Sequence, residues 1–271
     1  MIEIAAQAEL AAPASSATPL TRVIDRWIWV FMAASFVAYA LIGFIPTSLA
    51  KVAAVEAGQR PPLPLVLHFH AVLMGSFLVL LLAQTSLAAT GRHGYHRRLG
   101  LAAVVLGPAI VIAGFILIPT TYAWNWNAIQ ALPPEAQAGP LEGLRVADNI
   151  MLMQIRVGLL FPLFLTIAML ARKTDPGLHK RMMFLSIAFA MPAAFDRIAW
   201  IPSTLPGSPV SPDLYVLFAI SPMFIWDVVR TRTVHKAYLI FLAAALPAAI
   251  AVHGLWDTEW WHTTARGLVG L

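Results

Sequence analysis

The sequence predicts an all-α, polytopic transmembrane helix bundle of about seven spans, with the N-terminus inside and the C-terminus outside. Three observations carry this expectation: too few charges for a soluble surface, a succession of long apolar runs, and a one-sided distribution of Lys and Arg. Of 271 residues, 59% are hydrophobic and only 11% charged, and mean hydropathy is +0.76. A soluble domain carries about 25% charged residues. So few charges point to lipid as the solvent.

The apolar runs follow in order at about 27–48, 64–89, 99–122, 147–171, 182–202, 213–229 and 238–256. Each can cross the roughly 30 Å hydrocarbon layer as a helix. Pro108, Pro119, Pro162, Pro192, Pro222 and Pro247 fall inside them. Membrane helices tolerate proline because neighbouring groups satisfy the carbonyls it frees. The first twenty residues are Ala-rich with Glu3 and Glu9, and lack the basic-then-apolar order of a signal peptide. Residues 1–25 are therefore expected as a mobile tail, 26–256 as the transmembrane domain and 257–271 as a short outer tail.

Orientation follows from the basic residues. With seven spans, Arg22, Arg26, Arg92, Arg97, Arg98, Arg172, Lys173, Lys180, Arg181, Arg230, Arg232 and Lys236 share one side. Only Lys51, Arg60, Arg145 and Arg266 fall on the other. The positive-inside rule then places the N-terminus inside. Trp124, Trp126, Trp200, Trp256, Trp260 and Trp261 gather at the outer interface like an aromatic belt. The net charge of +5 sits in short loops between apolar runs, so nucleic acid is not an expected partner. Cysteine is absent, which excludes disulfides, thiolate metal sites and iron–sulfur clusters.

Ionisable residues inside spans are costly and are functional candidates. The second run carries His68 and His70, roughly 6–9 Å below its outer end at about 1.5 Å per residue. Their i,i+2 spacing turns them to opposite faces, and His70 is expected to face inward. The fourth run holds Arg156, the fifth Asp196 and Arg197, and the seventh His253. All fall in the outer half. Arg156 and Asp196 are expected to neutralise each other, with Arg197 reaching the interface or a carboxylate. In the inner half only Asp227 stands out, expected to pair with Arg230 at i,i+3. Gln84, Thr85 and Ser86 read as helix-packing residues, and His262, beyond the last run, gives no signal.

A weak echo recurs at the inner connections: "HRRLG" (96–100), "HKRMM" (179–183) and "HKAYL" (235–239). Anchoring of helix ends to anionic lipid explains it most simply. The stretch "HFHAVLMGSFLVLLLAQTSLAATGRHGYHRRLG" (68–100) resembles uncharacterised bacterial multi-pass membrane proteins. "HKRMMFLSIAFAMPAAFDRIAW" (179–200) resembles their second signature. In outline the pattern is distantly similar to haem proteins of the cytochrome b561 kind. That resemblance implies haem b as a cofactor, with one haem in the outer half rather than two.

The functional expectation is a bacterial inner (plasma) membrane protein with a polar His/Arg/Asp site in the outer half, cofactor- or quinone-binding and redox in character. His68, His70, Arg156, Asp196, Arg197 and His253 would form it, with His70 and His253 as metal ligands if haem or another metal binds. Its partners would be the lipid bilayer and a quinone or small molecule, within an oligomer or larger membrane complex. A proton-coupled small-molecule transporter and a non-catalytic accessory subunit are the alternatives.

Overall fold

The computed structural model describes residues 18–271; the expected N-terminal tail lies mostly outside them. Among the described residues the chain is helical without strands. The helices are α1 (Pro19–Glu56), α2 (Leu65–Ala89), α3 (His93–Gly100), α4 (Ala102–Gln130), α5 (Ala138–Ala171), α6 (Pro176–Ala188), α7 (Pro192–Phe195), α8 (Val210–Thr231), α9 (Lys236–Leu255) and α10 (Glu259–Leu268). Six stretches are long and apolar enough to cross a membrane: α1, α2, α3 with α4, α5, α8 and α9. Large apolar side chains stay exposed on them, including Phe31, Val72, Val105, Ile112, Leu170 and Ile250. An exposed apolar surface of that extent needs lipid or a partner around it. The protein is a multi-pass membrane protein by this measure.

Several helices start where the sequence provides a cap. Thr18 precedes Pro19, and its hydroxyl accepts from the Thr21 amide at 3.2 Å. Asp175 precedes Pro176, and its carboxylate accepts from Leu178 at 2.8 Å. Thr258 caps α10 in the same way. Side-chain oxygens here satisfy amides that the first helical turn leaves unpaired, and proline suits the first position because it has no amide to satisfy.

The fifth apolar run departs from the expectation of one continuous helix. It divides into α6 and α7, separated by a tight turn in which Ala190 and Met191 donate to carbonyls three residues back. Pro192 cannot donate, and its ring crowds the carbonyl four residues before it. Six other prolines (Pro46, Pro108, Pro119, Pro162, Pro222, Pro247) sit within helices that continue past them. What differs at Pro192 is the packing: α7 lies against α1 at Gly43, where an added Cβ would come within 2.2 Å of the Ala194 carbonyl oxygen. Only glycine admits that approach.

The broken segment forms much of the core. Met182, Leu185, Ile187 and Ala188 are fully buried, and Phe184 packs against Trp29 and Phe36 of α1. Further along, Phe195 meets Tyr39 and Arg197 lies over Phe44. The segment thus runs parallel to α1 from one end of the bundle to the other. At one end lie the start of α1, the end of α2 and the end of α8: Arg26 Nε donates to the Ala89 carbonyl at 2.5 Å, and Asp25 accepts from Arg230 and Trp226 at 3.0 Å each. We call this the basic end. Residues 257–271, expected as a tail, contain α10, which docks on α5 at the far end.

Candidate functional site

Polar side chains collect in four places, two at each end. At the far end, Arg156 of α5 is 4% exposed and donates to Asp213 at the start of α8 from Nη1 at 2.5 Å. Its guanidinium also lies 5.1 Å from the Phe189 ring centroid. The other oxygen of Asp213 sits 2.9 Å from His253 Nε2. Arg156 and His253 are therefore brought together, but through Asp213 and not Asp196. Asp196 is exposed and accepts from the Ser203 hydroxyl at 3.1 Å. Arg197 donates to the Ala193 carbonyl within its own turn. The expected Arg156–Asp196 pair does not form, because Asp196 follows α7 on an outward-facing turn while α8 delivers Asp213 to the guanidinium.

The two histidines of "HFH" separate as their spacing requires. His68 is exposed; His70 is half-buried, its ring beside Gly114 of α4, with Nδ1 buried and unpartnered among the described residues. Helix α2 packs on α1 and α4, whereas α9, which carries His253, packs on α5 and α6. His253 already directs Nε2 at a carboxylate. A haem spanning His70 and His253 does not fit this arrangement.

Also at the far end, Asp148 of α5 is wholly buried. It accepts from the Tyr122 hydroxyl, and its second oxygen lies 2.9 Å from His262 Nδ1 on α10. His262 Nε2 lies 3.0 Å from Asp257, an exposed carboxylate. Both ring nitrogens face carboxylate oxygens, which requires two ring protons or a proton held by one carboxyl. Hydrogen bonds thus connect Tyr122, in the interior, to the surface at Asp257. Outside the candidate membrane spans, hydrogen bonding from His262 holds the Asp257 carboxyl below the usual range, and that from Arg145 does the same for Glu259. Sequence reasoning missed this network. The available signal was Asp148 at the start of an apolar run, and the amphipathic "EWWHTTARGL" of α10.

At the basic end, Arg181 and Asp227 form a bidentate pair at 2.6 and 2.8 Å, with Tyr238 donating to Asp227 at 2.5 Å. All three are nearly inaccessible. This corrects two expectations: the half of the bundle at the basic end, expected as the inner one, does hold a buried polar set, and Asp227 pairs with Arg181, while Arg230 pairs with Asp25.

The fourth place is a cavity of about 940 Å³ between α1, α2, α3, α5 and α6. This is near the upper end of the roughly 300–1,000 Å³ of small-molecule sites. Its wall is apolar and aromatic, with Trp29, Phe77, Leu81, Met183 and Phe184. Arg26, Arg97, Arg172, Lys173 and Lys180 also line it, against one acid, Asp25, which Arg230 and Trp226 already engage. Gln84 reaches into the same region. It is 9% exposed, and neither its amide nitrogen nor its oxygen has a partner among the described residues. Gly100 lies beside it, where an added Cβ would sit at ordinary contact distance, 3.5 Å, from the amide. An unpaired buried amide costs about 1–3 kcal/mol, so a ligand that pairs with it is favoured. His96 and His179 complete the lining. The expected site residues of the outer half contribute nothing to this cavity.

Comparison with protein families, with curated proteins and with solved structures gives no match for this chain.

Proposed function

We propose that this is a bacterial inner-membrane protein that binds an amphiphilic redox cofactor or quinone, and that the ligand occupies the cavity at the basic end. The observation that carries the reading is Gln84: a buried amide with both polar atoms unpaired, beside an aromatic wall and a cationic rim. A quinone presents carbonyl oxygens that such an amide donates to and a ring that packs on Trp29 and Met183. A cofactor with carboxylates would use the arginines as well. The proposed site lies at the end opposite to the one expected from the intramembrane charges, where Arg156 and His253 already engage Asp213.

The same proposal includes seven crossings with the N-terminus inside. Two features support it. The broken segment α6–α7 runs beside α1 from the basic end to the far end, and the cation-rich connections gather at one end, as the positive-inside rule expects of a cytoplasmic face.

Titration of the detergent-purified protein with a short-chain quinone analogue, followed by tryptophan quenching, tests the ligand class. Saturable binding is expected, weakened in Gln84→Leu by roughly tenfold for one lost hydrogen bond at about 1.4 kcal/mol. Absence of saturable binding, together with absence of any co-purifying cofactor, would refute the reading.

A further inference from the structure

Resting on that reading of the cavity, we propose that it is a site for a b-type haem with His96 and His179 as the two axial ligands. The argument begins with the side of each imidazole that is already used. His96 Nδ1 lies 3.2 Å from the carbonyl oxygen of Gln84, and His179 Nδ1 lies 2.8 Å from that of Ala168. A carbonyl can only accept, so Nδ1 carries the proton in both rings, and in a neutral imidazole this leaves the lone pair on Nε2. Neither Nε2 has a hydrogen-bond partner among the described residues. Metal-ligating histidines show this arrangement: a backbone carbonyl or carboxylate holds one nitrogen, fixes the tautomer and turns the other to the metal.

The two rings reach the cavity from different walls. His96 belongs to α3 and is tied to α2; His179 belongs to α6 and is tied to α5. Two imidazoles alone are too few for a protein-bound metal ion, and no group of three or more His, Asp or Glu among the described residues is placed to hold one. A tetrapyrrole removes that difficulty because it brings four nitrogens of its own. It also needs what the cavity has: partly exposed apolar side chains to pack on, such as Trp29 and Met183, and cations for two propionates, here Arg26, Arg97 and Arg172. Gln84 supplies an amide donor for a propionate and, through its backbone carbonyl, the hydrogen bond that orients His96.

The test is spectroscopic and independent of any activity. The full chain is expressed with a haem precursor supplied, purified in detergent, and examined by visible absorption and electron paramagnetic resonance. The expected result is one low-spin haem per chain with bis-imidazole signatures. His96→Gly and His179→Gly should each lose that spectrum, and added imidazole should restore it, which separates a lost ligand from a lost fold. His68→Ala, His70→Ala and His253→Ala should keep it. Haem absent from the wild type after expression and after titration with haemin would overturn the proposal, as would an unchanged spectrum in both glycine variants. If quinone binds saturably while haem does not, the haem assignment falls and the broader reading of the cavity stands; if neither binds, both fall.

Discussion

Removal of Asp213 tests how the far end is held together. Arg156 has a side chain 2% exposed, and its single carboxylate partner among the described residues is Asp213 at 2.5 Å. Its Nε has no partner among the described residues. Asp213→Ala therefore leaves a guanidinium buried without a counter-charge, a change that costs about 3–5 kcal/mol in buried pairs. The Asp213 side chain is 25% exposed, so some water reaches the pair, and the lower end, about 3 kcal/mol, is expected. Asp196→Ala removes one hydrogen bond from Ser203 at an exposed position and should cost less than about 1 kcal/mol. Replacing both partners, Arg156→Leu with Asp213→Leu, removes the uncompensated charge and should be milder than Asp213→Ala. A coupling energy of about 1–3 kcal/mol should emerge from the cycle. Reversible unfolding in mixed detergent micelles, followed by circular dichroism, provides the measurement. Equal losses from Asp196→Ala and Asp213→Ala, or a coupling within about 0.5 kcal/mol of zero, would refute the assignment.

Topology can be read with reporter fusions. Fusions after Lys173 and after Gly207 should report opposite sides, with Thr231 matching Lys173; agreement between Lys173 and Gly207 would mean that α6–α7 enters and leaves by one face. The docking of α10 should depend on pH. The Asp257 carboxyl is held below its ordinary value, first by hydrogen bonding from His262. A depressed carboxyl contributes stability that is present above the unfolded value of about 3.9 and is lost as pH falls through the folded one. Amide exchange across Glu259–Leu268 should therefore accelerate below about pH 4, and less steeply in Asp257→Asn; identical acid profiles for the two proteins would exclude this contact as the cause.

Hydropathy made the long helices legible, because each must bury its own backbone polar groups in lipid and so must be continuous and apolar. It could not reveal the break at Pro192. Six other prolines sit in equally apolar surroundings and leave their helices intact, and the difference is a tertiary contact with Gly43. The charged residues of the interior were legible one at a time, but their partners were not. Arg156 could be matched to Asp196 by depth alone, and depth does not say which helix face meets which. Asp213 is the first residue of its apolar run, 213–229, and nothing in the run itself marks it as the partner.

The recurrent histidine next to basic residues shows how one sequence pattern can carry different roles. His96 and His179 each sit near the start of a helix and reach back 12 and 11 residues to a carbonyl near the end of the preceding one. Both then line the same cavity. His235, in the third copy, instead accepts through Nδ1 from the Ala237 amide at 3.0 Å and caps α9. Lipid anchoring accounts for the arginines and lysines of all three copies, since those need only an anionic surface nearby. It does not account for two imidazoles that each meet a backbone carbonyl through Nδ1 and line one cavity. The distinguishing feature is the carbonyl that each ring meets, and that is set by how the preceding helix ends and packs: Gln84 and Ala168 both lie in the last two turns of their helices, α2 and α5. Two helix hairpins thus present equivalent histidines to a shared cavity, while the third spends its histidine on its own first turn.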